Sequence, residues 1–477
     1  MPVHLVGGAV RDILLNRDVH DLDFVLPANA LETARVVANR LKAAYYPLDP
    51  VRQTGRVILM DDKGQRRFLD FAVYRAPDLI SDLQARDYTI NAMAMELSST
   101  QELIDPLNGA QDLRSKILRA CRPSSLEDDP VRVLRAVRLA TELGFRIYPD
   151  TLNSLRQAIP QLTRVTPERS RDELFRILDG PKPAACIRLL EIFGAFPYFM
   201  SELVQLKGVD QSPPHIVDVW THTVDVLQKL ETLLDVLSTR VEPDAASNLL
   251  AGQVSLRLGR YRQQINDHLT QEPGVGRSVR SLLFFGALYH DAGKLQTRQV
   301  EESGRVRFFD HDRIGADLAA DRSRTLHLNN VEIDRLYKLV RNHMRPILLA
   351  NSDKMPSSRA IYRFFRDTQE VGVDICLLSL ADVWGTYGPT LPQEVWSRQV
   401  DVVRLLLESW WEKKEQAVFP PPLLNGYDLI SALELAPGPL VGKLLQEIQE
   451  AQAAGIVTDR QQALDYARSV IHKGNER

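Results

Sequence analysis

The sequence predicts an α+β protein, with an N-terminal α/β head built on a mixed sheet and helices from there to the C-terminus. Two observations predict this class. Residues 1 to about 110 alternate short apolar runs with glycine turns and amphipathic stretches, whereas apolar residues after Asp129 recur at helical spacing. The length of 477 residues exceeds what one hydrophobic core supports, so several domains are expected.

The head starts with a strand and a glycine turn. The run His4-Leu5-Val6 ends at Gly7-Gly8, and Val10 to Leu15 opens a helix. Glycines let the backbone approach a ligand, and the helix N-terminus offers free N–H groups to a triphosphate. The next predicted elements are a strand over 23–26, an alanine-rich helix over 30–44, and a hairpin of 56–60 and 67–73 around a turn at 61–64.

The helical part has recognisable starts and one linker. Pro130 stands where a first helical turn tolerates proline, and Thr166-Pro167-Glu168 supplies a capping hydroxyl, proline and an acid. The polar segment from about 238 to 280 is interpreted as an insertion, and Phe419 to Pro422 as a rigid linker to a small helical unit. The predicted domains are a head (1–115), a helical neck (116–210), a middle helical domain (211–390) and a C-terminal helical tail (391–477).

Composition excludes several classes of protein. The net charge of -3 gives no global positive field, so nucleic-acid binding would need local basic patches. Cys121, Cys186 and Cys376 form no CxxC pair, which argues against a cysteine zinc site and fits a reducing cytoplasm. No apolar run reaches the roughly 20 residues that span a bilayer, so no membrane association is expected.

Acidic residues in the head suggest a metal site. Asp21 and Asp23 lie two apart on a predicted strand, so both carboxylates share one face. Close carboxylates repel unless a cation bridges them, and hard oxygen ligands suit Mg²⁺. A bare DxD is more often a solvated turn, but its spacing after Gly7-Gly8 favours the metal site. Asp70, on the predicted strand 68–71, is either a third carboxylate of the cluster or an edge-strand acid facing water.

These motifs together resemble the class II tRNA nucleotidyltransferase and bacterial poly(A) polymerase family. The run GGAVRDILLNRDVHDLDFV (7–25) resembles its first motif, and the later runs RDYTINAM (86–93), DPLNG (105–109), DDPVR (128–132) and the segment from Thr166 to Glu173 follow in the family's order. The family pattern has Phe and Gly where Leu107 and Asn108 stand, and Glu where Asp128 stands. The match spans roughly residues 3 to 200.

The resemblance implies a nucleotidyltransferase head that uses Mg²⁺, CTP and ATP on the 3′ end of tRNA, without DNA. It implies catalytic carboxylates at Asp21, Asp23 and Asp70. It implies nucleotide-binding groups at Gly7, Gly8, Arg11, Arg86, Asp87, Asn91, Asp129, Arg132, Arg135 and Arg138.

The fourth motif also has a physical interpretation. Asp129 and Arg132 lie three apart, so on a helix they share one face, where an acceptor-only carboxylate beside a donor-only guanidinium could pair with the edge of a base. An ordinary surface ion pair is the alternative on spacing alone. Arg135 and Arg138 continue the row and could hold phosphates.

A second set of residues, in the middle of the chain, resembles an HD-type metal-dependent phosphohydrolase domain. Adjacent His-Asp with a distant His and a distant Asp can complete the coordination shell of one metal, and Mn²⁺, Ni²⁺ or Co²⁺ are the expected ions. The expected ligands, including those of a second metal, are His222, His290, Asp291, His311, His343 and Asp382.

Several functional alternatives remain open from the sequence. The protein could be a phosphohydrolase whose head only binds nucleotides or RNA, a non-catalytic RNA-binding protein, or a poly(A) polymerase. Within the leading hypothesis, only AVYRAPDLISDLQA (72–85) separates the strand ending near Phe71 from Arg86. Relatives that add the full CCA carry a longer loop here, so addition of CC alone competes with complete CCA addition. The C-terminal tail, with its Pro437-Gly438-Pro439 break, is interpreted as an RNA contact or a packing unit.

Overall fold

The computed structural model describes residues 2–19, 21–60, 66–97, 102–239 and 248–475. The chain divides into two compact units, Met1–Leu174 with Leu189–Phe199, and Phe175–Arg188 with Met200–Arg477. The hairpin turn expected at 61–64 lies outside the described residues.

The first unit contains a seven-stranded sheet. The strands are β1 His4–Val6, β2 Asp21–Leu26, β3 Ala44–Asp49, β4 Thr54–Met60, β5 Arg66–Val73, β6 Ala94–Glu96 and β7 Leu103–Ile104. Their order in the sheet is β3-β4-β5-β2-β1-β6-β7, and the β2–β5 pair is parallel while the other pairs are antiparallel, so the expected mixed sheet is confirmed. The strand β5 lies inside the sheet, between β4 and β2, so the edge-strand alternative for Asp70 is wrong.

Helices accompany this sheet and continue beyond it. The alanine-rich helix ends at Leu41, earlier than expected, because Lys42 takes a left-handed conformation and the unpredicted strand β3 follows. The helices are α1 Gly8–Leu14, α2 Ala30–Leu41, α3 Leu79–Gln84, α4 Gly109–Arg114, α5 Ser125–Asp128, α6 Arg132–Leu143, α7 Pro149–Ala158, α8 Pro167–Asp179 and α9 Pro183–Ile192, with two short strands, β8 Ile117–Leu118 and β9 Arg146–Ile147.

The second unit is almost entirely helical. The segment interpreted as a polar insertion contains two α-helices, Leu249–Leu258 and Arg262–Leu269, within its described part. Its elements up to the linker are α10 Ser201–Val204, α11 Val219–Val236, α12 Leu249–Leu258, α13 Arg262–Leu269, α14 Val279–Tyr289, α15 Lys294–Thr297, β10 Arg298–Val300, β11 Val306–Phe308, α16 His311–Thr325, α17 Asn330–Asn342, α18 Arg345–Ala350, α19 Ser358–Thr368, α20 Val371–Tyr387 and α21 Gln393–Glu412.

The segment after the proline linker has a core of its own. It comprises α22 Gly426–Leu433, α23 Pro439–Ala453 and α24 Arg460–Asn475, and Leu429, Leu444 and Ile448 are among the side chains buried between these helices. The expected helical unit after the proline linker is therefore present. None of the helices in the described ranges is long and apolar enough to cross a membrane.

Candidate functional site

The acidic cluster of the head is assembled by strand register. Asp23 on β2 pairs with Asp70 on β5 in the parallel ladder, and Asp70 pairs with Arg56 on β4 in the antiparallel ladder. Directly opposed residues share one face of a sheet, so Arg56, Asp70 and Asp23 form a row across three strands. Asp21 lies on the same face as Asp23, two residues earlier on β2.

Gly7 closes one side of this cluster. Its φ of +75° favours glycine, and a Cβ added there would lie 3.2 Å from Arg86 Nη1 and 3.5 Å from Asp23 Oδ2. The missing side chain lets a cation and a carboxylate approach the turn before α1. Gly7 therefore lies beside Asp23, whereas Gly8 lies beside Arg11.

Asp23 is reachable from solvent but crowded by protein. This crowding, followed by the charge of Asp70, raises the pKa of the Asp23 carboxyl, and Arg86 opposes the shift. A carboxylate whose ionised form is disfavoured by neighbouring acids is one that a divalent cation would stabilise. Asp21 and Asp23 thus supply hard oxygen ligands that could hold a divalent cation.

The second motif builds a hydrogen-bonded network behind the cluster. The buried Asp87 carboxylate accepts from the backbone N–H of Tyr88 at 2.7 Å and from Arg135 Nη1 at 3.1 Å. Arg11 Nη1 donates to Asn91 Oδ1 at 2.8 Å, and Asn91 Nδ2 donates to Asp87 Oδ1 at 3.2 Å. The structure therefore brings together Arg11, Asp87, Asn91 and Arg135, which are separated by up to 124 positions in the sequence.

Asp129 does not lie on the helix with Arg132, contrary to the expectation. It precedes α6 in a non-helical conformation, with φ of -148° and ψ of 87°. The two side chains are still neighbours, with 3.6 Å between Arg132 Nε and Asp129 Oδ2, and Arg169 donates to the same oxygen at 2.7 Å. The other oxygen, Oδ1, is buried and has no hydrogen-bond partner among the described residues.

Main-chain carbonyls hold the Arg132 guanidinium. Nη1 donates to the carbonyls of Arg86 and Ser125 at 3.2 and 3.1 Å, and Nη2 donates to the carbonyl of Ala85 at 3.3 Å. Three acceptors on fixed backbone leave the guanidinium little rotational freedom. An orphaned acceptor, Asp129 Oδ1, beside this fixed donor is an arrangement that can receive the donor of a base edge.

Arg135 and Arg138 are already paired. Arg135 donates twice to Glu173 Oε1, at 3.0 and 2.7 Å, and Arg138 donates to Glu173 Oε2 at 3.3 Å. Glu173 is buried, so one carboxylate neutralises part of both cations. Their phosphate-binding role remains a prediction, and it would require them to bind phosphate alongside Glu173.

The third motif forms a capped turn. Asp105 accepts from the backbone N–H groups of Gly109 and Ala110 at 2.7 and 2.9 Å, which caps the start of α4. Asn108 has a φ of +58°, a conformation that Asn tolerates, so it replaces the family's glycine without losing the turn. Gly109 packs directly on the carbonyl of Thr89, where a Cβ would lie 2.2 Å from the oxygen.

The predicted metal ligands of the middle domain meet in one buried cluster. His222 on α11 lies 3.1 Å from Asp382 on α20 and 3.4 Å from His290, which follows α14. His311 Nε2 and His343 Nε2 lie 3.6 and 4.0 Å from Asp291 Oδ1. Ligand atoms that could hold metal ions fall into three overlapping groups: His215, His222 and Asp291; His222, His290 and Asp382; and Asp291, His311 and His343.

Backbone carbonyls orient three of these histidines. His290 Nδ1 lies 2.7 Å from the Ala287 carbonyl, and His311 and His343 make the same contact with the carbonyl three residues before each. The carbonyl accepts a hydrogen bond when Nδ1 carries the hydrogen, so in the neutral ring Nε2 carries a lone pair that faces the cluster. Burial, with nearby His311 and His290, lowers the pKa of His343 to about 3, which keeps its ring neutral.

Two further residues of this cluster were missed from the sequence. His215 belongs to one of the three ligand groups, and Lys294 Nζ lies 2.7 Å from Asp291 Oδ2 while donating to Gln211 at 2.6 Å. Lys294 follows the His290-Asp291 pair closely, so that run could have revealed it, whereas a histidine after Pro213-Pro214 carries no signal. Both residues line a cavity of about 770 Å³ that also reaches Asp291 and Asp382.

Three family models match the chain. A poly A polymerase head domain matches residues 3–119, a probable RNA- and SrmB-binding site of polymerase A matches 144–206, and an HD domain matches 219–383. The chain is also similar in fold to a solved CCA-adding enzyme in its apo form, with 21% identity, a TM-score of 0.59, and coverage of 98% of this chain and 90% of that chain.

Two relatives match nearly the whole chain. An A-adding tRNA nucleotidyltransferase of Deinococcus radiodurans is 32% identical over 96% of this chain and 93% of its own length. A CC-adding tRNA nucleotidyltransferase of Thermus thermophilus is 32% identical over 96% of this chain and 91% of its own length. The chain therefore belongs to the tRNA nucleotidyltransferase family that combines a poly(A) polymerase-type head with an HD domain.

Proposed function

We propose that this tRNA nucleotidyltransferase adds cytidylates, and no terminal adenylate, to the 3′ end of tRNA in the cytoplasm without a nucleic-acid template. The observation that carries the proposal is the short connection between β5 and α3, which comprises residues 74–78 alone. A lever that resets the base-reading groups between nucleotides needs length and freedom. This connection offers neither.

Hydrogen bonds hold the connection at both ends. The Tyr74 backbone N–H donates to the Leu26 carbonyl at 3.1 Å, and the Tyr74 hydroxyl lies 3.2 Å from His4 Nδ1. At the other end, the Arg75 N–H donates to Asp82 at 2.7 Å, and Asp78 caps α3. The segment 74–78 therefore fits a fixed structural turn better than a short lever.

The fixed position of Arg132 supports selection of cytosine or adenine over uracil. Its guanidinium donates hydrogen bonds to three main-chain carbonyls, while Asp129 Oδ1 has no hydrogen-bond donor among the described residues. Cytosine presents an amino donor beside an acceptor nitrogen, which complements this pair, whereas uracil presents an acceptor to the Asp129 oxygen. Adenine presents the same donor and acceptor, so the short connection decides between the two bases.

The chemical step uses the acidic row. Asp21 and Asp23 would hold Mg²⁺, which supplies activation of the 3′ hydroxyl and charge stabilisation on the leaving pyrophosphate. The turn at Gly7-Gly8 gives the triphosphate a close approach to the backbone. Arg86, beside Gly7, adds a cation at the same place.

The test is gel resolution of products from tRNA that lacks its CCA end, with CTP and ATP both present. The proposal expects a product that stops after two additions, and no adenylate on tRNA ending in CC. Efficient addition of a single A to CC-ended tRNA would favour the A-adding alternative that the Deinococcus radiodurans relative suggests. Completion of CCA would overturn the argument from the short connection.

A second candidate activity, a metal-dependent phosphohydrolase, is favoured by the oriented histidines of the HD domain. The three ligand groups suit borderline ions such as Mn²⁺, Ni²⁺ or Co²⁺, because imidazole and carboxylate ligands are mixed. Asp291 and Asp382 reach the 770 Å³ cavity, so a substrate could approach ions bound there. Such a site hydrolyses phosphomonoesters or phosphodiesters, including 2′,3′-cyclic nucleotides, when the metal activates water.

Hydrolysis of 2′,3′-cyclic AMP with each of the three ions tests this candidate. We expect turnover that His290→Ala removes while nucleotide addition is retained. Absence of both bound metal and hydrolysis would leave the HD domain with a structural role alone.

A further inference from the structure

Arg56 occupies the face of Asp70 that a metal ion would need. Its Nε donates to Asp70 Oδ1 at 2.7 Å and its Nη2 donates to Oδ2 at 2.6 Å. Two parallel charge-assisted bonds make this the strong, directional form of an ion pair. The guanidinium also lies over the Phe68 ring, 4.7 Å from its centroid, so an aromatic contact steadies the pair from the neighbouring position.

The neighbouring carboxylate, Asp23, lacks such an ion pair within the described part of the chain. Asp23 makes no salt bridge with any residue in the described ranges, although it opposes Asp70 in the β2–β5 ladder. Arg86 acts on it only through its charge. One carboxylate of the row is thus neutralised by an arginine, and the other is left for a cation from solution.

We propose that Arg56 competes with a divalent cation for Asp70, so that the head binds its metal weakly until a nucleotide arrives. The proposal rests on the nucleotidyltransferase function proposed above. An arginine stays charged at every accessible pH, so at neutral pH the pair separates when another anion takes the guanidinium or another cation takes the carboxylate.

A nucleoside triphosphate supplies that other anion. Its phosphate oxygens match the same guanidinium fork, so binding of the nucleotide would draw Arg56 from Asp70 and free both oxygens for metal. Binding of nucleotide and metal then reinforce each other, because each favours the separated pair. Arg56 would be a positioning residue, since it acts on metal binding through Asp70.

Mn²⁺ binding to the full-length protein tests the proposal directly. Free Mn²⁺ is followed by electron paramagnetic resonance during titration without nucleotide. Each protein is also titrated with Asp23→Asn added, and the difference isolates the head from ions bound by the HD cluster. The variants are Arg56→Gln, Arg56→Lys and Asp70→Asn, with Arg52→Gln as the control because Arg52 is an exposed arginine paired with Asp49 instead.

We expect Arg56→Gln to raise the affinity of the head for Mn²⁺ about tenfold, because a cation next to the site is removed. Arg56→Lys keeps the positive charge but loses the two parallel hydrogen bonds, so its Mn²⁺ affinity should lie between those of wild type and Arg56→Gln. The affinity of Arg52→Gln should match that of wild type. In an Asp70→Asn background, Arg56→Gln should add no further gain, since the competition requires Asp70.

An unchanged or lower Mn²⁺ affinity in Arg56→Gln would overturn the proposal. An equal gain in affinity when Arg56→Gln is added to Asp70→Asn would overturn it as well. If Asp23→Asn removes no bound Mn²⁺ from any protein, the metal-dependent transfer itself fails. A second titration adds a non-hydrolysable CTP analogue. It should tighten Mn²⁺ binding more in wild type than in Arg56→Gln, and equal tightening would also contradict the competition.

Discussion

The two candidate metal centres of this chain are built on opposite plans. The head cluster consists of carboxylates on adjacent strands, open to solvent, with Arg56 bound to one of them. The HD cluster is buried, mixes histidines with carboxylates and collects its ligands from separate helices. Its histidines are aimed by backbone carbonyls before any ion arrives. From this difference we expect the head to take a metal together with nucleotide, and the HD domain to retain its metal in the absence of nucleotide.

Asp23→Ala should cause the largest loss of activity of the variants proposed here. We expect nucleotide addition to fall by about 10³, because stabilisation of charge that develops in the transition state is lost. The raised pKa of Asp23 means that its ionised form is disfavoured in the folded protein, so at neutral pH its removal should not lower the melting temperature. Single-turnover addition of CMP and a thermal melt measure the two effects.

Glu32→Ala is the matched control for this variant, because Glu32 is an exposed acid in the first turn of α2. It should leave addition unchanged. If the rate of CMP addition falls less than tenfold in Asp23→Ala, Asp23 does not take part in the chemical step, since a tenfold change is only about 1.4 kcal/mol of activation barrier. A melting temperature that falls with activity would assign Asp23 a structural role.

His343→Ala tests whether the buried histidine cluster of the HD domain binds metal. It removes one aimed nitrogen from a buried cluster, and we expect metal affinity to fall by about 10² while nucleotide addition persists. Metal content after gel filtration, measured by mass spectrometry, gives the result. His472→Ala, an exposed histidine on α24, is the control. Equal metal content in His343→Ala and wild type would place the ion elsewhere.

The same contrast explains what could be predicted from sequence. The head's acids were predictable because alternation along a strand and a contiguous motif place Asp21 and Asp23 on one face. The partner of Asp70 was not, because the predicted hairpin left its register open, and a shift of one residue between β4 and β5 would place a residue other than Arg56 opposite Asp70. The HD ligands were found through resemblance, yet His215 was missed because tertiary packing alone brings it to His222.

The helix expected to carry Asp129 shows a further limit. Spacing of three suggests a shared helical face, but α6 begins only at Arg132, and Asp129 is held instead by Arg169. Sequence spacing describes neighbours within an element and does not state where the element starts. The predicted pair still forms, through side chains that meet across the start of the helix.

Arg132→Ala should have the smallest effect of the three variants. It tests whether main-chain carbonyls orient a side chain at the start of α6 as they do in the HD domain. Without the guanidinium, a base keeps the Asp129 oxygen but loses its donor, so we expect discrimination of CTP against UTP to fall about tenfold. The rate with CTP should fall less. Competition between labelled nucleotides for one tRNA measures the ratio without depending on the amount of active enzyme. Arg122→Ala is the matched control, because Arg122 forms an exposed ion pair with Asp128 a few residues away. If both variants keep the wild-type preference, Asp129 and Arg132 are an ordinary ion pair, and other residues select the base.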